Sequence, residues 1–129
     1  MNRLKKVFLE WLLGPEEKRE PISQTRFSDI DLEGALSEAE RIHDLSEGIT
    51  HGPTLSYLLQ LSIYHKLVAI AKEMDLPNDN SLIMESDRLY ARTDGTNNPF
   101  KLDYLMGEAN YNLATAVEHH LRGSMPKPS

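Results

Sequence analysis

Apolar residues recur along this chain at intervals of three and four, which is the spacing of one face of an α-helix. No alternation of β-branched residues extends over four positions, so the sequence does not predict a sheet. Five segments carry the helical spacing, and turns that contain Gly, Pro or Asn separate them. The pattern predicts an all-α fold, in which an amphipathic helix and a linker precede a small four-helix bundle over residues 28–123.

The amino-terminal helix is predicted over residues 1–14, and its apolar arc is too wide for a free helix in water. That arc contains the single tryptophan of the chain and is formed by Leu4, Val7, Phe8, Leu9, Trp11, Leu12 and Leu13. Residues 15–27 are polar and hold two prolines, which is typical of a linker, and 124–129 form a short tail. Three destinations are open for the helix: its own bundle, a groove of another subunit, or a membrane surface. Glu10 and the single basic cluster argue against the membrane surface.

The next two predicted helices differ in how much of their surface is apolar. The second helix is expected to begin at Ser28, whose hydroxyl caps it, and to end at Gly48. The third helix follows Pro53 and is apolar nearly all round. We therefore expect the third helix at the centre of the bundle, with Leu59 and Leu67 in its core.

The last two helices have clear starting signals. The fourth is opened by the polar run at 78–81, and the fifth is capped by Asn98 and runs to Arg122. Apolar residues of the fifth helix alternate four- and three-residue steps, and His120 continues that stripe. This spacing is typical of a helix packed nearly antiparallel to a neighbour.

Charge is unevenly distributed along the chain. The protein has 14 Lys and Arg against 20 Asp and Glu, which disfavours direct binding to nucleic acid. Residues 28–51 hold seven acidic side chains and one basic one. Because Glu38, Glu40 and Asp44 lie beyond the first helical turn, they gain nothing from the helix dipole. These three residues are therefore candidates for binding a partner.

The chain contains no cysteine, which excludes disulfides, iron–sulfur sites and a thiol nucleophile. The first residues have a basic opening and an apolar run, but Glu10 interrupts the run and no small-residue cleavage site follows. No apolar segment reaches the roughly 20 residues that a membrane span needs. We therefore expect a cytoplasmic protein that is not exported, or a part of an intracellularly assembled complex.

Candidate chemistry is sparse. Glu40 and His43 form a Glu-x-x-His step, but a di-iron bundle needs two such steps, and Glu118 and His120 have the wrong spacing for the second. Neither a nucleophile elbow nor a phosphate-binding loop is present. The sequence therefore predicts no catalytic residue, cofactor or metal site. A helical metal-binding protein or enzyme that uses these four residues stays as an alternative.

The tyrosines form two pairs with a spacing of seven residues. Tyr57 and Tyr64 share a face of the third helix, and Tyr104 and Tyr111 share a face of the fifth. Such pairs either lie at the margin of the bundle with their hydroxyls in solvent, or form an aromatic patch that binds a partner.

These features predict a non-enzymatic interaction protein, a small subunit or adaptor of a larger assembly. Its partner is another protein or a second copy of the chain. Docking is expected through the amino-terminal helix, the acidic second helix, or both; the residues concerned are Leu4, Phe8, Trp11, Leu12, Glu38, Glu40 and Asp44. The alternative among binding functions is an acidic inhibitor or immunity-type protein that blocks a basic site on its target.

Overall fold

The structure, a computed structural model, describes residues 27–123. Over this range the chain forms four α-helices and two short 3-10 turns, and no strand is present. The helices are α1 (Leu32–Ser46), α2 (Gly52–Glu73), α3 (Ser81–Arg92) and α4 (Pro99–Gly123). The expected all-α fold with four bundle helices is confirmed for these residues. The predicted helix at 1–14, most of the linker and the tail at 124–129 lie outside them.

The first bundle helix begins later than the sequence predicted. Its cap is Asp31, whose side-chain Oδ1 accepts a hydrogen bond of 2.7 Å from the Gly34 amide, so the assignment of Ser28 as the cap was wrong. Ser28 instead belongs to a 3-10 turn that buries Phe27. The Phe27 amide donates to Oδ1 of Asp87 over 3.1 Å. This contact joins the first described residue to α3.

The other predicted helix boundaries are confirmed to within a few residues. Gly48 follows the end of α1 with φ of 84°, a left-handed conformation that glycine adopts without strain. Pro53 lies in the first turn of α2. Asn80 caps α3 by accepting from the Ile83 amide, and Asn98 caps α4 by accepting from the amide of Phe100 over 2.9 Å. All of these signals are local, which is why the sequence shows them.

The two longest helices form the middle of the bundle. The most extensive contacts join α1 to α2, α2 to α4, and α3 to α4. The Ser62 hydroxyl of α2 donates to the Ala39 carbonyl of α1 over 2.7 Å. The prediction that the third helix of the sequence contacts neighbours on several sides is confirmed, but α2 shares the central place with α4, which contacts both α2 and α3.

Helix direction follows from the connections and from paired positions. Helices α1 and α2 are joined by five residues and α3 and α4 by six, so each pair runs antiparallel. Helices α2 and α4 run parallel, because Ser56 bonds Asp103 and Gln60 approaches Gly107, and both pairs are 47 residues apart. Three side chains at this contact, those of Ser56, Gln60 and Asp103, are polar. The parallel pair α2–α4 is the frame on which the other two helices pack.

The core is filled from all four helices. Its largest side chains with under 2% exposure are apolar or aromatic and include Ile42, Tyr57, Leu58, Leu61, Tyr64, Ile83, Leu102, Met106 and Leu113. Leu59, expected in the core, is 36% exposed, and Leu67 is only partly buried. His120, expected on the seam of the last helix, is exposed. The buried face of α2 therefore passes through Leu58 and not through the adjacent leucine.

Candidate functional site

The outer side of α2 carries an exposed apolar stripe. Leu59, Ile63 and Ile70 are 36%, 47% and 45% exposed, and their spacings of four and seven place them on one helical face. Lys66 lies on the same face and is also exposed. This stripe points away from Leu61 and the other core residues of α2.

The outer side of α4 carries a second stripe, which is aromatic. Phe100, Tyr104 and Tyr111 are 69%, 65% and 70% exposed, and their spacings of four and seven repeat those of the α2 stripe. The second of the two tyrosine pairs in the sequence therefore faces solvent. The first pair, Tyr57 and Tyr64, is buried at 1% exposure.

Both stripes open on the same side of the bundle. Successive residues of a helix are rotated by about 100°. On α2, Gln60 contacts α4 and lies about 100° to one side of Leu59. On α4, Gly107 faces Gln60. Around the axis of α4, the rotation from Tyr104 to Gly107 is about 60° and runs in the direction opposite to the rotation from Leu59 to Gln60 on α2. Because the two helices are parallel, opposite rotations bring the stripes to a common side.

The acidic part of α1 borders the α2 stripe. An open pocket of about 320 Å³ between the two helices is lined by Ala39, Glu40, His43, Asp44 and Lys66. Lys66 belongs to the stripe, so the carboxylates of α1 and the apolar side chains of α2 share one continuous surface. We name this surface the three-helix face; it consists of Glu40, His43 and Asp44 of α1, Leu59, Ile63, Lys66 and Ile70 of α2, and Phe100, Tyr104 and Tyr111 of α4.

The predicted partner-binding residues fall into three groups. Glu40 and Asp44 are exposed on the three-helix face. Glu38 is not part of it: its side chain is 11% exposed and its Oε1 lies 2.6 Å from Nε of Arg41. Two residues apart on a helix, Glu38 and Glu40 point in different directions, so only Glu40 lies on this face. The remaining group lies outside the described residues and consists of Leu4, Phe8, Trp11 and Leu12.

The four residues of the metal or enzyme alternative are not brought together. Between residues 27 and 123, the one group of three or more candidate ligands within 4.8 Å of one another is His43, Asp44 and Glu47. Glu118 instead pairs with Arg122 near the end of α4, with 2.8 Å between Oε1 and Nε. The three grouped side chains lie at the carboxyl end of α1, where Glu47 is the residue that follows the helix, and all three are exposed, so the bundle supplies no buried ligand to them.

A polar and aromatic cluster lies inside the bundle, and the sequence did not predict its assembly. The rings of Tyr64 and Tyr90 stack with centroids 4.6 Å apart, and the His65 ring meets the Tyr64 ring edge-on at 5.4 Å. The Tyr64 hydroxyl donates to Oδ1 of Asp87 over 3.2 Å. Burial, with the nearby Asp87 charge, raises the pKa of Tyr64 above its ordinary value. This cluster fixes α3 against α2.

His65 is held neutral within that cluster. Its Nδ1 lies 2.9 Å from the Leu61 carbonyl oxygen, so Nδ1 carries the proton and donates it. Its Nε2 has no hydrogen-bond partner, and burial lowers the pKa of the imidazole. With 1% exposure, His65 is out of reach of a substrate, so its role in the described part of the chain is structural.

Two findings bear on the kind of protein this is. Over residues 27–123, no helix has both the length and the apolar character that crossing a membrane requires. Fold alone does not define function, so the feature of this protein that bears on function is the three-helix face. Comparison with known proteins gave no match to any family model, curated protein or solved structure.

Proposed function

We propose that this protein is a non-enzymatic interaction protein, a small subunit or adaptor, which docks on another protein through the three-helix face. One observation carries the proposal. Nine large apolar side chains are exposed among the described residues, and six of them lie on the neighbouring stripes of α2 and α4. Single exposed apolar residues are ordinary, whereas several that are grouped on one side of a molecule and bordered by polar groups are typical of a binding surface.

The aromatic stripe of α4 has the most to gain from being covered. A Phe or Tyr side chain buries about 200 Å² when fully enclosed, and these rings are 65–70% exposed. Covering one ring removes roughly 130 Å² from water, which contributes about 3 kcal/mol before the entropic cost of association. Tyr104 and Tyr111 also keep a hydroxyl for hydrogen bonding at the edge of an interface.

The acidic edge indicates what the partner carries. Glu40 and Asp44 are exposed beside the apolar stripe of α2. A matching partner presents an apolar helix or ridge with basic side chains along one border. The same edge supports a second candidate function, the inhibition of a target whose site is basic, because opposite charges raise the rate of association.

The proposal is tested by placing a charge on the face. Four baits are compared: the original full chain and three single variants of it. Ile63→Asp and Tyr111→Asp change the three-helix face, and Met84→Asp is the matched control. Met84 is 57% exposed on α3, outside the face. A carboxylate buried without a partner at an interface is costly, so each face variant should lower affinity at least about tenfold. The control should bind like the original chain.

The same partner must be followed in all samples by quantitative mass spectrometry, with far-UV circular dichroism to verify folding. Equal recovery of every co-purifying protein with all four baits would refute the docking role of the face. Equal loss with Met84→Asp would also count against it, because the effect would then not depend on position.

A further inference from the structure

The exposed side of α2 has a composition that is unusual for the surface of a helix. Within residues 54–72, four side chains are exposed, and three of them are apolar, those of Leu59, Ile63 and Ile70. The aromatic stripe of α4 continues this surface beside α2. Depletion of charged residues and enrichment of aromatic ones are typical of the central part of a protein interface.

The three-helix face has the size of one side of a small dimer. Helix α2 is about 33 Å long, and two adjacent helices are about 20 Å wide, so the outer side of the pair α2–α4 covers about 660 Å². A stable interface buries about 800 Å² on each partner, so this area is near the lower limit. We therefore expect association in the micromolar range, so that the dilute chain is a monomer with its face open.

The two stripes have their centres at the same height along the bundle. Each residue of α4 lies level with the α2 residue 47 positions before it, as the contacts between the two helices show. The midpoint between Leu59 and Ile63 is position 61 of α2. The midpoint between Tyr104 and Tyr111 lies level with a point half a residue from that position. One line perpendicular to both helices therefore passes through both midpoints.

The ends of the face are related to this line in the same way. Phe100 lies level with position 53 of α2, eight positions below the line, and Ile70 lies nine positions above it. A two-fold axis along the line turns the face onto itself with the helices antiparallel, and such self-complementarity is what a symmetric dimer requires. The axis brings Leu59 of one copy level with Ile63 of the other, and it brings the aromatic end of the face level with the aliphatic end.

The charges beside the apolar stripe also match across this axis. The hydrogen bond from Ser62 to Ala39 sets the antiparallel register of α1 and α2, so Asp44 lies level with position 57, four positions below the axis. Lys66 lies five positions above it. The axis therefore brings Lys66 of each copy level with Asp44 of the other. Since both residues line one pocket within each chain, the dimer groups two lysines with two aspartates.

Glu40 distinguishes a second copy from a different partner. It lies at the height of the axis and is therefore level with Glu40 of the second copy, where two like charges repel each other. A different protein with a basic border would instead attract Glu40. Replacement of this carboxylate thus has opposite effects on the two kinds of occupant.

We infer that the occupant of the three-helix face is a second copy of this chain, in a two-fold symmetric dimer whose axis passes at the height of Leu61. This inference rests on the docking role proposed for the face and names its partner. The outer sides of the two α2–α4 pairs form the interface, and the Lys66 and Asp44 side chains form its charged border.

Sedimentation equilibrium of the full chain across micromolar concentrations tests the inference, with the face variants and the control used above. Each change occurs twice in a dimer, so Ile63→Asp and Tyr111→Asp should each raise the dissociation constant at least about tenfold. Met84→Asp should leave it unchanged, because Met84 lies on α3 outside the face. Far-UV circular dichroism verifies that every variant is folded.

Charge reversal tests the symmetry itself, at low salt. Lys66→Glu should weaken the dimer by about threefold or more, because two exposed ion pairs become repulsive. Adding Asp44→Lys to that variant should restore association, because both pairs then have opposite charges again. Glu40→Gln should strengthen the dimer, because it removes the repulsion at the axis.

Three results would overturn the inference. The first is a chain that is monomeric at every concentration. The second is a dimer that Ile63→Asp and Tyr111→Asp leave intact, because the copies then meet elsewhere. The third is a dimer that Glu40→Gln weakens, because Glu40 then meets a basic group and the two-fold arrangement is wrong.

Failure of this inference is distinguishable from failure of the docking proposal. A monomeric chain whose face variants lose a captured protein refutes the inference alone, and that protein is then the occupant. A dimer that the face variants abolish, together with equal recovery of every captured protein from all four baits, refutes docking on a different protein alone.

Discussion

Two neighbouring leucines of α2 test where the core ends and the three-helix face begins. Leu58 is 1% exposed and belongs to the core, whereas Leu59 is 36% exposed and belongs to the face. They share residue type, helix and sequence environment, so each serves as the control for the other. We expect replacement by alanine to affect stability very differently at the two positions.

The magnitudes follow from the burial of each side chain. Leu58→Ala removes fully enclosed atoms and leaves a cavity that the surrounding helices cannot close, which costs about 2–5 kcal/mol. Leu59→Ala encloses no cavity, and full burial of a leucine contributes only about 1.5–3 kcal/mol. Because part of the Leu59 side chain already contacts water, its replacement should cost about 1 kcal/mol or less.

Urea unfolding followed by circular dichroism measures both variants. With a slope of about 1.5 kcal/mol/M, a loss of 3 kcal/mol lowers the midpoint by about 2 M, whereas a loss of 1 kcal/mol lowers it by about 0.7 M. The slope should stay unchanged in both variants. Equal midpoints for the two variants, or a larger shift for Leu59→Ala, would show that the buried side of α2 has been assigned wrongly.

Three further predictions concern stability. Because burial lowers the pKa of His65, the unfolded chain binds a proton at this residue before the folded chain does as pH falls. The contribution of His65 to the free energy of unfolding is therefore full above about pH 6.5 and decreases below it. His65→Phe should make the urea midpoint depend less on pH in this lower range. Asn80→Ala removes the cap of α3 and should cost about 1 kcal/mol in the same unfolding assay, whereas Asn80→Asp should retain most of the stability. Gly107→Ala should stabilise the protein by about 0.5–1 kcal/mol, because a Cβ at this helical position meets Gln60 at an ordinary 3.5 Å. Gly48→Ala should destabilise it by about 1 kcal/mol, because Gly48 has a positive φ. Changes in the free energy of unfolding with the same sign for both variants would refute this reasoning.

The ends of the helices could be predicted because their causes are local. Asn80 and Asn98 each accept hydrogen bonds from amides two and three residues later, and Gly48 adopts its conformation without any distant partner. Asp31 and Ser28 both have side chains that can cap a helix. In the structure Ser28 lies in a 3-10 turn whose first residue, Phe27, is buried and bonded to Asp87, and no local pattern contains that contact over 60 residues.

The open side of the bundle could not be predicted for a similar reason. An all-round apolar helix indicates a central position but not which of its leucines lacks a neighbour. The two tyrosine pairs have the same spacing, yet Tyr64 contacts Tyr90 and Asp87 of α3 and is buried, whereas Tyr111 is 70% exposed. Only the parallel arrangement of α2 and α4 places the two exposed stripes side by side.

The tyrosines also provide the most direct test of whether the three-helix face is a surface that becomes covered. Of the five tyrosines, Tyr104 and Tyr111 lie on the face and the other three are buried in the core. Tyrosine-specific modification, located by mass spectrometry, is compared in the free chain, diluted until it is monomeric, and in the complex with the partner captured as above. Both face tyrosines should react rapidly in the free chain, where they are 65% and 70% exposed, and slowly in the complex. Equally rapid modification of both in the two samples would contradict the docking role of the face, because the partner would then leave it in contact with solvent.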